Sequence, residues 1–296
     1  MLALKMSFTV LDLFSGIGGF AIATQMVGGR TIAFAETSKH AKKVLAARFP
    51  NVPNLGDVTK LCRRLYDCEP QPDDDEVFWC PRCNADFSDC DCIGTDQFTD
   101  TYGVPDVVVA GVPCQPSSQV GKRMGTADDR WMWPDTIRIL RELRPSFGLF
   151  ENPPAILDLD GGRAFGGILA EMAEVGYDVW WDCVPASFFG AGHRTERLWM
   201  VASDSDCAGL EGQPGELPPH EESAGGHVAT PNLRDRRFDS RKWYHQSGVQ
   251  PVADGVSGWM ARHALEAIGN AVVPECAAAF LAGIKQALTA QRARAI

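Results

Sequence analysis

No stretch of the 296-residue chain stays apolar for the roughly 20 residues that a membrane-spanning helix needs, which excludes a helical membrane protein. The opening run, Met1 to Met6, is too short for a signal peptide, so a cytosolic protein is expected. Disulfides are rare in that compartment, so the ten cysteines read as free, catalytic or metal-bound. No segment repeats itself, so the fold is not a stack of copies. An excess of positive charge is also missing: 28 Lys and Arg stand against 38 Asp and Glu, a net charge of −10. That argues against a broad phosphate-binding surface but leaves a local cleft open. The densest basic cluster is Arg234, Arg236, Arg237, Arg241 and Lys242, which on charge alone reads as a solvated loop.

The hydrophobic content, 45%, is enough for one large domain with a sizeable core and a small second one. Apolar runs alternate with helical patterns, the signature of an α/β fold. Strands are expected over Phe8 to Leu13, Thr31 to Ala35, Val107 to Ala110, Ser146 to Phe150, Asp178 to Pro185 and Leu198 to Ala202. Helices are expected over Phe20 to Val27, Lys39 to Phe49, Trp131 to Leu143, Ala164 to Val175, Arg262 to Ile268 and Glu275 to Leu288.

In α/β sheets chemistry is placed on the loops beyond the strands' C-terminal ends. The first such loop is Phe14-Ser15-Gly16-Ile17-Gly18-Gly19-Phe20-Ala21, a glycine-rich turn opening a helix. Its glycines let the backbone approach a nucleotide-like group. The spacing Gly16, Gly18, Ala21 suits a nicotinamide cofactor as well as S-adenosylmethionine. Glu36 follows the second strand, where a carboxylate can accept hydrogen bonds from ribose hydroxyls or simply favour the next helix's N-terminus. Asp57, in Gly56-Asp57-Val58, is another acid at a strand end or turn.

The stretch Ala110-Gly111-Val112-Pro113-Cys114-Gln115-Pro116-Ser117-Ser118 breaks a buried strand into a sharp turn. Cys114 at that turn is either a nucleophile or a buried structural thiol. The polar, glycine-containing loop Ser117 to Asp129 has the composition of a lid. Glu151, in Glu151-Asn152-Pro153-Pro154, ends the next strand and is expected across a cleft from Cys114, where desolvation would raise its pKa and let it donate a proton.

Two segments interrupt the rhythm. From about Cys62 to Gly103 the chain is acidic and carries six cysteines. Cys80, Cys83, Cys90 and Cys92, spaced C-x2-C and C-x-C, can close a tetrahedral structural zinc site; reduced cysteines in a loop are the alternative. From Ser203 to about Gly255 the chain loses periodicity, as a small loop-built module or a linker would.

Taken in order, DLFSGIGGF, Glu36, GDV, GVPCQPSS, GKRMG with DDRW, ENPP, HRTERLWMVA and GNAVVP resemble the DNA (cytosine-5) methyltransferases, in the compact form of phages and restriction–modification systems. The resemblance covers nearly the whole chain outside the cysteine-rich insert and residues 203–255. It implies a doubly wound, mostly parallel sheet of the S-adenosylmethionine-dependent type with a small irregular recognition module. It implies S-adenosylmethionine near Phe14, Gly16, Gly18, Glu36, Asp57 and Asn270. It makes Cys114 the nucleophile, Glu151 the partner of the target base and Arg197 a helper that holds the base. It divides the chain into a catalytic domain over 1–202, a target recognition region over 203–255 and a closing segment over 256–296. The implied partner is double-stranded DNA, met by a monomer.

The sequence departs from the family at three places. Glu-Asn-Pro-Pro stands where Glu-Asn-Val is usual, Thr195 stands at the first arginine of the Q-x-R-x-R pattern with Arg194 beside it, and Thr37 stands where an aromatic residue often follows the second-strand acid. A nitrogen-directed amino-methyltransferase would need an aromatic residue where Ala155 follows Asn152-Pro153-Pro154. A nicotinamide oxidoreductase explains neither Cys114 nor Glu151. An RNA cytosine-5 methyltransferase and a catalytically weak DNA-binding relative stay open as alternatives.

Overall fold

A computed structural model of the chain describes residues 7–63, 71–72, 78–79, 93–113, 131–189, 195–205 and 272–294, the side chains of 62–63, 71–72 and 78–79 excepted. Six strands form the main sheet: β1 (Thr9–Leu13), β2 (Arg30–Ala35), β3 (Val107–Gly111), β4 (Phe147–Asn152), β5 (Tyr177–Pro185) and β6 (Glu196–Asp204). Their order is β2-β1-β3-β4-β6-β5. The pairs β1–β2, β1–β3 and β3–β4 are parallel, and β6 runs antiparallel between β4 and β5. Among the described residues the α-helices are α1 (Gly19–Met26), α2 (Lys39–Arg48), α3 (Thr95–Tyr102), α4 (Trp133–Leu143), α5 (Arg163–Glu174) and α6 (Pro274–Arg294). This is the mostly parallel, doubly wound α/β sheet that the sequence led us to expect.

Strand β3 shows why the sheet is central. Val107 to Ala110 are all fully buried, as a parallel strand covered on both faces requires. Val107 and Val109 face α1 and α6, beside Phe20, Ala277 and Leu281; Val108 and Ala110 face α4 and α5, beside Trp133, Ile137 and Ile168. Helix α4 earns its place by spacing, with Trp133, Thr136, Ile137, Leu140 and Leu143 buried on one stripe. Trp133 meets Phe150 edge-on, with ring centroids 5.6 Å apart. On the other face Trp199 stacks on Phe280 of α6 at 4.8 Å.

The chain runs from β1 outward to β2 and returns to β3 on the other side of β1. That reversal opens a crevice beyond the C-terminal ends of β1 and β3, the place where such sheets hold ligands. Helix α3 was not expected: its residues fell within the segment read as an insert, yet Phe98 is fully buried and α3 belongs to the main core. Cys80, Cys83, Cys90 and Cys92, the Ser117 to Asp129 loop, residues 206–271 and hence Arg262 to Ile268 lie outside the described residues. No described helix is long and apolar enough to cross a membrane.

Candidate active site

The glycine turn after β1 is shaped by three residues in the left-handed region: Phe14 (φ 51°), Gly16 (φ 54°) and Gly18 (φ 90°). For Phe14 that conformation costs on the order of 1 kcal/mol, a strain the surrounding contacts must hold. Ser15 ties the turn down by donating its hydroxyl to the Asp12 carbonyl at 2.6 Å. A side chain at Gly18 would meet the Phe49 ring at 2.6 Å, and one at Gly19 the Val272 carbonyl oxygen at 2.5 Å. The segment leading into α6 therefore lies directly on the N-terminus of α1.

Glu36, just past β2, joins the two strand ends. Its carboxylate accepts hydrogen bonds from the Gly16 amide at 2.8 Å and the Ser38 amide at 2.6 Å. The side-chain cap of α2 is Ser38, whose hydroxyl accepts from the Ala41 amide, so Glu36 ties the glycine turn to the residue that caps the helix. Asn54 holds the Glu36 backbone from both sides, accepting from its amide at 3.1 Å and donating to its carbonyl at 3.2 Å. Asp57 caps a short 3-10 turn, Val58–Lys60, with one carboxylate oxygen accepting from both the amide and the hydroxyl of Thr59 at 2.9 Å. Together these residues border a cleft of about 370 Å³ lined by Phe14, Glu36, Thr37, Asp57, Pro113 and Met132, among others. Its walls are apolar with two carboxylates, so it can take a ligand with flat apolar parts, hydroxyl donors and positive charge.

Asp12, inside β1, is fully buried with neither carboxylate oxygen hydrogen-bonded, and burial, with the Glu36 charge adding to it, pushes its pKa well above the usual range. As part of DLFSGIGGF it was expected in a strand, with no role of its own.

Glu151 stands on the far side of β3. It is in register with Gly111 across β3–β4 and with Trp199 across β4–β6. One carboxylate oxygen pairs with Arg197 Nε at 2.6 Å. The other lies 3.8 Å from the position a β-carbon on Gly111 would take. Burial raises the Glu151 pKa to about 7 even though the Arg197 charge and hydrogen bond pull it down. A net rise past a close cation means desolvation is the larger effect, and it leaves a carboxyl able to hold or release a proton near neutrality. Asn152 is buried beside it and donates to the Glu151 carbonyl at 2.6 Å.

Two groups of the expected residues thus come together: Phe14, Glu36 and Asp57 line the cleft, with Gly16 hydrogen-bonded to Glu36, and Glu151 lies with Arg197 beside the end of β3, whereas Gly18 faces Phe49 and Leu45 and is not among the residues lining the cleft. Pro113, at the rim of the cleft, is the last described residue before the turn; Cys114 and Asn270 lie outside the described residues. Thr195 is described, and its carbonyl accepts from the Ala186 amide at 2.9 Å. Sequence reasoning missed Asn54, which acts through contacts with the Glu36 backbone that leave no pattern in the sequence. Among the described residues no group of His, Cys, Asp and Glu is placed to hold a metal.

A family model described as C-5 cytosine-specific DNA methylase matches residues 8–74 and 74–251. The chain belongs to that family. Its matched region takes in the cleft, Glu151 and Arg197, and α6 follows beyond it. Among curated relatives, the type II methyltransferase M.BsuFI of Bacillus subtilis is 30% identical over 67% of this chain and 40% of that protein. M.HpaII of Haemophilus parainfluenzae is 31% identical over 67% of this chain and 46% of that protein. The chain therefore spans less than half the length of these two family members. The Dnmt2 methyltransferase of S. pombe superposes with a TM-score of 0.45 at 14% identity, over 68% of this chain and 50% of that one. The fold is assigned by the strand order itself and not by that distant likeness.

Proposed function

We propose that the protein transfers a methyl group from S-adenosylmethionine to C5 of a cytosine in double-stranded DNA. Family membership supports the reaction class, and Glu151 carries the reading: it is a carboxyl with a pKa near 7 beside the strand that leads to Cys114. The cleft fits the cofactor. Glu36 and Asp57 offer carboxylates to its hydroxyl and amino groups and Phe14 and Met132 offer apolar contact, while Gly16 and Gly18 are assigned to the same site on the family resemblance of the glycine turn. Asn270 is assigned to the same site on the family resemblance of Gly269-Asn270-Ala271-Val272-Val273-Pro274.

When bound, S-adenosylmethionine supplies an electrophilic methyl group. The protein's part is to make C5 nucleophilic. The Cys114 thiolate adds to C6 while Glu151, protonated, hydrogen-bonds N3, so electron density collects at C5. After transfer, loss of the C5 proton and expulsion of the Cys114 sulfur restore the ring. Arg197 keeps Glu151 aimed and neutralises charge that develops nearby. A base stacked in duplex cannot be reached this way, so the target is flipped out. We assign residues 1–202 and 256–296 to the catalytic unit and 203–255, with its basic cluster, to target recognition by a cytosolic monomer of restriction–modification or phage type. Cys80, Cys83, Cys90 and Cys92 are assigned to one structural zinc on their spacing, to be checked by metal analysis of protein purified without added zinc, where less than half an equivalent would count against it.

The deciding experiment is a covalent trap. Random duplexes carrying 5-fluorocytosine have fluorine where the departing C5 proton should be. With S-adenosylmethionine the protein should stay bonded to them as a band that survives denaturation, and Cys114→Ser should abolish the band because serine is far less ionised. Fluorinated RNA trapped in place of DNA would favour an RNA enzyme, and no adduct with either would defeat the mechanism.

A further inference from the structure

The wall of the cleft that carries Asp57 and Thr59 has little secondary structure of its own, a short turn and a strand paired with Ile93–Gly94. It is a single 3-10 turn, Val58–Lys60, followed by a three-residue strand, Leu61–Arg63. Beyond that pairing and the burial of Val58 and Leu61, it is held by a side chain of α4. Arg138 Nη1 donates to the Leu61 carbonyl at 2.6 Å, and Nη2 donates to the Val58 carbonyl at 3.1 Å. The same guanidinium is fixed from behind by Asp135, one turn earlier on α4, whose Oδ1 accepts from Nε at 3.1 Å and from Nη2 at 2.9 Å. The Arg138 side chain is only 13% exposed, so these bonds face little competition from water.

The arrangement grips the turn at both ends. Val58 follows Asp57 directly, and Leu61 follows the turn's last residue. Thr59 lines the cleft between these two anchors, Asp57 lines it immediately before the first, and Met132, just before α4, lines it as well. Only a planar fork with five donors can bind two carbonyls and a carboxylate at once; an ammonium on a flexible stem cannot reproduce the geometry. Arg138 touches none of the space a ligand would fill.

We propose that Arg138, held by Asp135, is a positioning residue that sets the cofactor wall bearing Asp57 and Thr59. The inference rests on the reading of the cleft as the S-adenosylmethionine site. It separates Arg138 from a residue that only stabilises the fold: a misplaced wall weakens cofactor binding, while the groups that act on the base, across β3, keep their geometry.

Calorimetry with S-adenosylmethionine and with its demethylated product S-adenosylhomocysteine, on the full chain, tests it. Losing one charge-assisted hydrogen bond's worth of alignment should weaken both ligands about tenfold in Arg138→Ala. Arg138→Lys should recover little of this, because charge without the fork does not restore both contacts. In methyl transfer to DNA, the KM for S-adenosylmethionine should rise by about the same factor while kcat at saturation stays within about twofold. Unchanged affinity in Arg138→Ala, full recovery in Arg138→Lys, or a kcat loss as large as the KM rise would each overturn the proposal. If Arg138→Ala does not fold, Asp135→Asn keeps the guanidinium but loosens it, and should weaken both ligands by about threefold; wild-type affinity there overturns the proposal equally. Wild-type protein that binds neither ligand sinks the reading of the cleft itself and this inference with it, whereas tight wild-type binding with unaffected variants sinks this inference alone.

Discussion

Glu151 sits beside a cation and is still hard to ionise. The rise from 4.5 to about 7 amounts to roughly 3 kcal/mol of net cost, so burial outweighs the 2.6 Å contact with Arg197. The sign of the consequence for stability follows from proton counting. Between pH 4.5 and about 7 the folded protein holds this proton more tightly than the unfolded chain does. The contribution is therefore complete below 4.5, falls as pH rises through that window and is gone above it. Denaturant titrations should show wild type losing on the order of 3 kcal/mol relative to Glu151→Gln between pH 4.5 and 8. Arg197→Met should carry the window to higher pH, since it removes the charge that lowers this pKa. A difference between wild type and Glu151→Gln that is flat with pH would mean the carboxyl ionises freely. The placement of Glu151 at a strand end was legible in the sequence, because an apolar run stops at Glu-Asn-Pro-Pro. Its ion pair was not, because that depends on β6 lying antiparallel against β4, a long-range register that no local pattern announces.

At the scale of elements, what the sequence reveals depends on how much apolar surface an element buries. Strands β1, β2 and β3 were expected within a residue or two, since each is a nearly unbroken buried run. Helix α3 was missed because Thr95–Tyr102 offers only Phe98 and Tyr102, four residues apart, against six polar residues. Its stability comes from Phe98 packing in the core, not from any stripe visible in the chain. Helix α5 shows the opposite mismatch between sequence and need. Gly166 and Gly167 sit in its interior, where an added β-carbon meets nothing within 4 Å. Replacing both by alanine should raise stability by about 1 kcal/mol each, since glycine gives up the most freedom on entering a helix. Gly19, at the start of α1, is the control. There a β-carbon runs into the Val272 backbone, and Gly19→Ala should cost about 1–3 kcal/mol through overpacking. Thermal unfolding of the two variants separates the cases, and a loss of stability in the α5 double variant would show that those glycines meet a demand absent from the helix itself.

Over the whole molecule, the last helix closes what the first strand begins. Helix α6 buries Ala277, Leu281, Ile284 and Leu288 against the face of the sheet built by Phe8, Val10, Val107 and Val109. Lys285 donates to the Val27 carbonyl at 2.7 Å, at the end of α1. Arg292 pairs with Asp106, whose other oxygen accepts from the Thr9 amide at 2.7 Å. The entry to α6, Val272, rests on Gly19 and reaches Gly111, next to the candidate active site. In the chain, residues 206–271 stand between β6 and the entry to α6. If residues 203–255 are a recognition region as proposed, the unit that binds S-adenosylmethionine should not need most of them. Replacing 207–255 with a short Gly-Ser linker should leave cooperative unfolding and cofactor affinity within about twofold of wild type, because a flexible linker adds little closure entropy. Affinity for duplex DNA should then fall to the weak level of a surface with net negative charge. A chain stopped at residue 271 should fail differently: without α6 the apolar face beneath it lies open, and cooperative folding should be lost. Undiminished DNA binding in the linker variant would move recognition out of 203–255. Loss of cofactor binding in that variant, with the fold intact, would mean that the segment also forms part of the cleft.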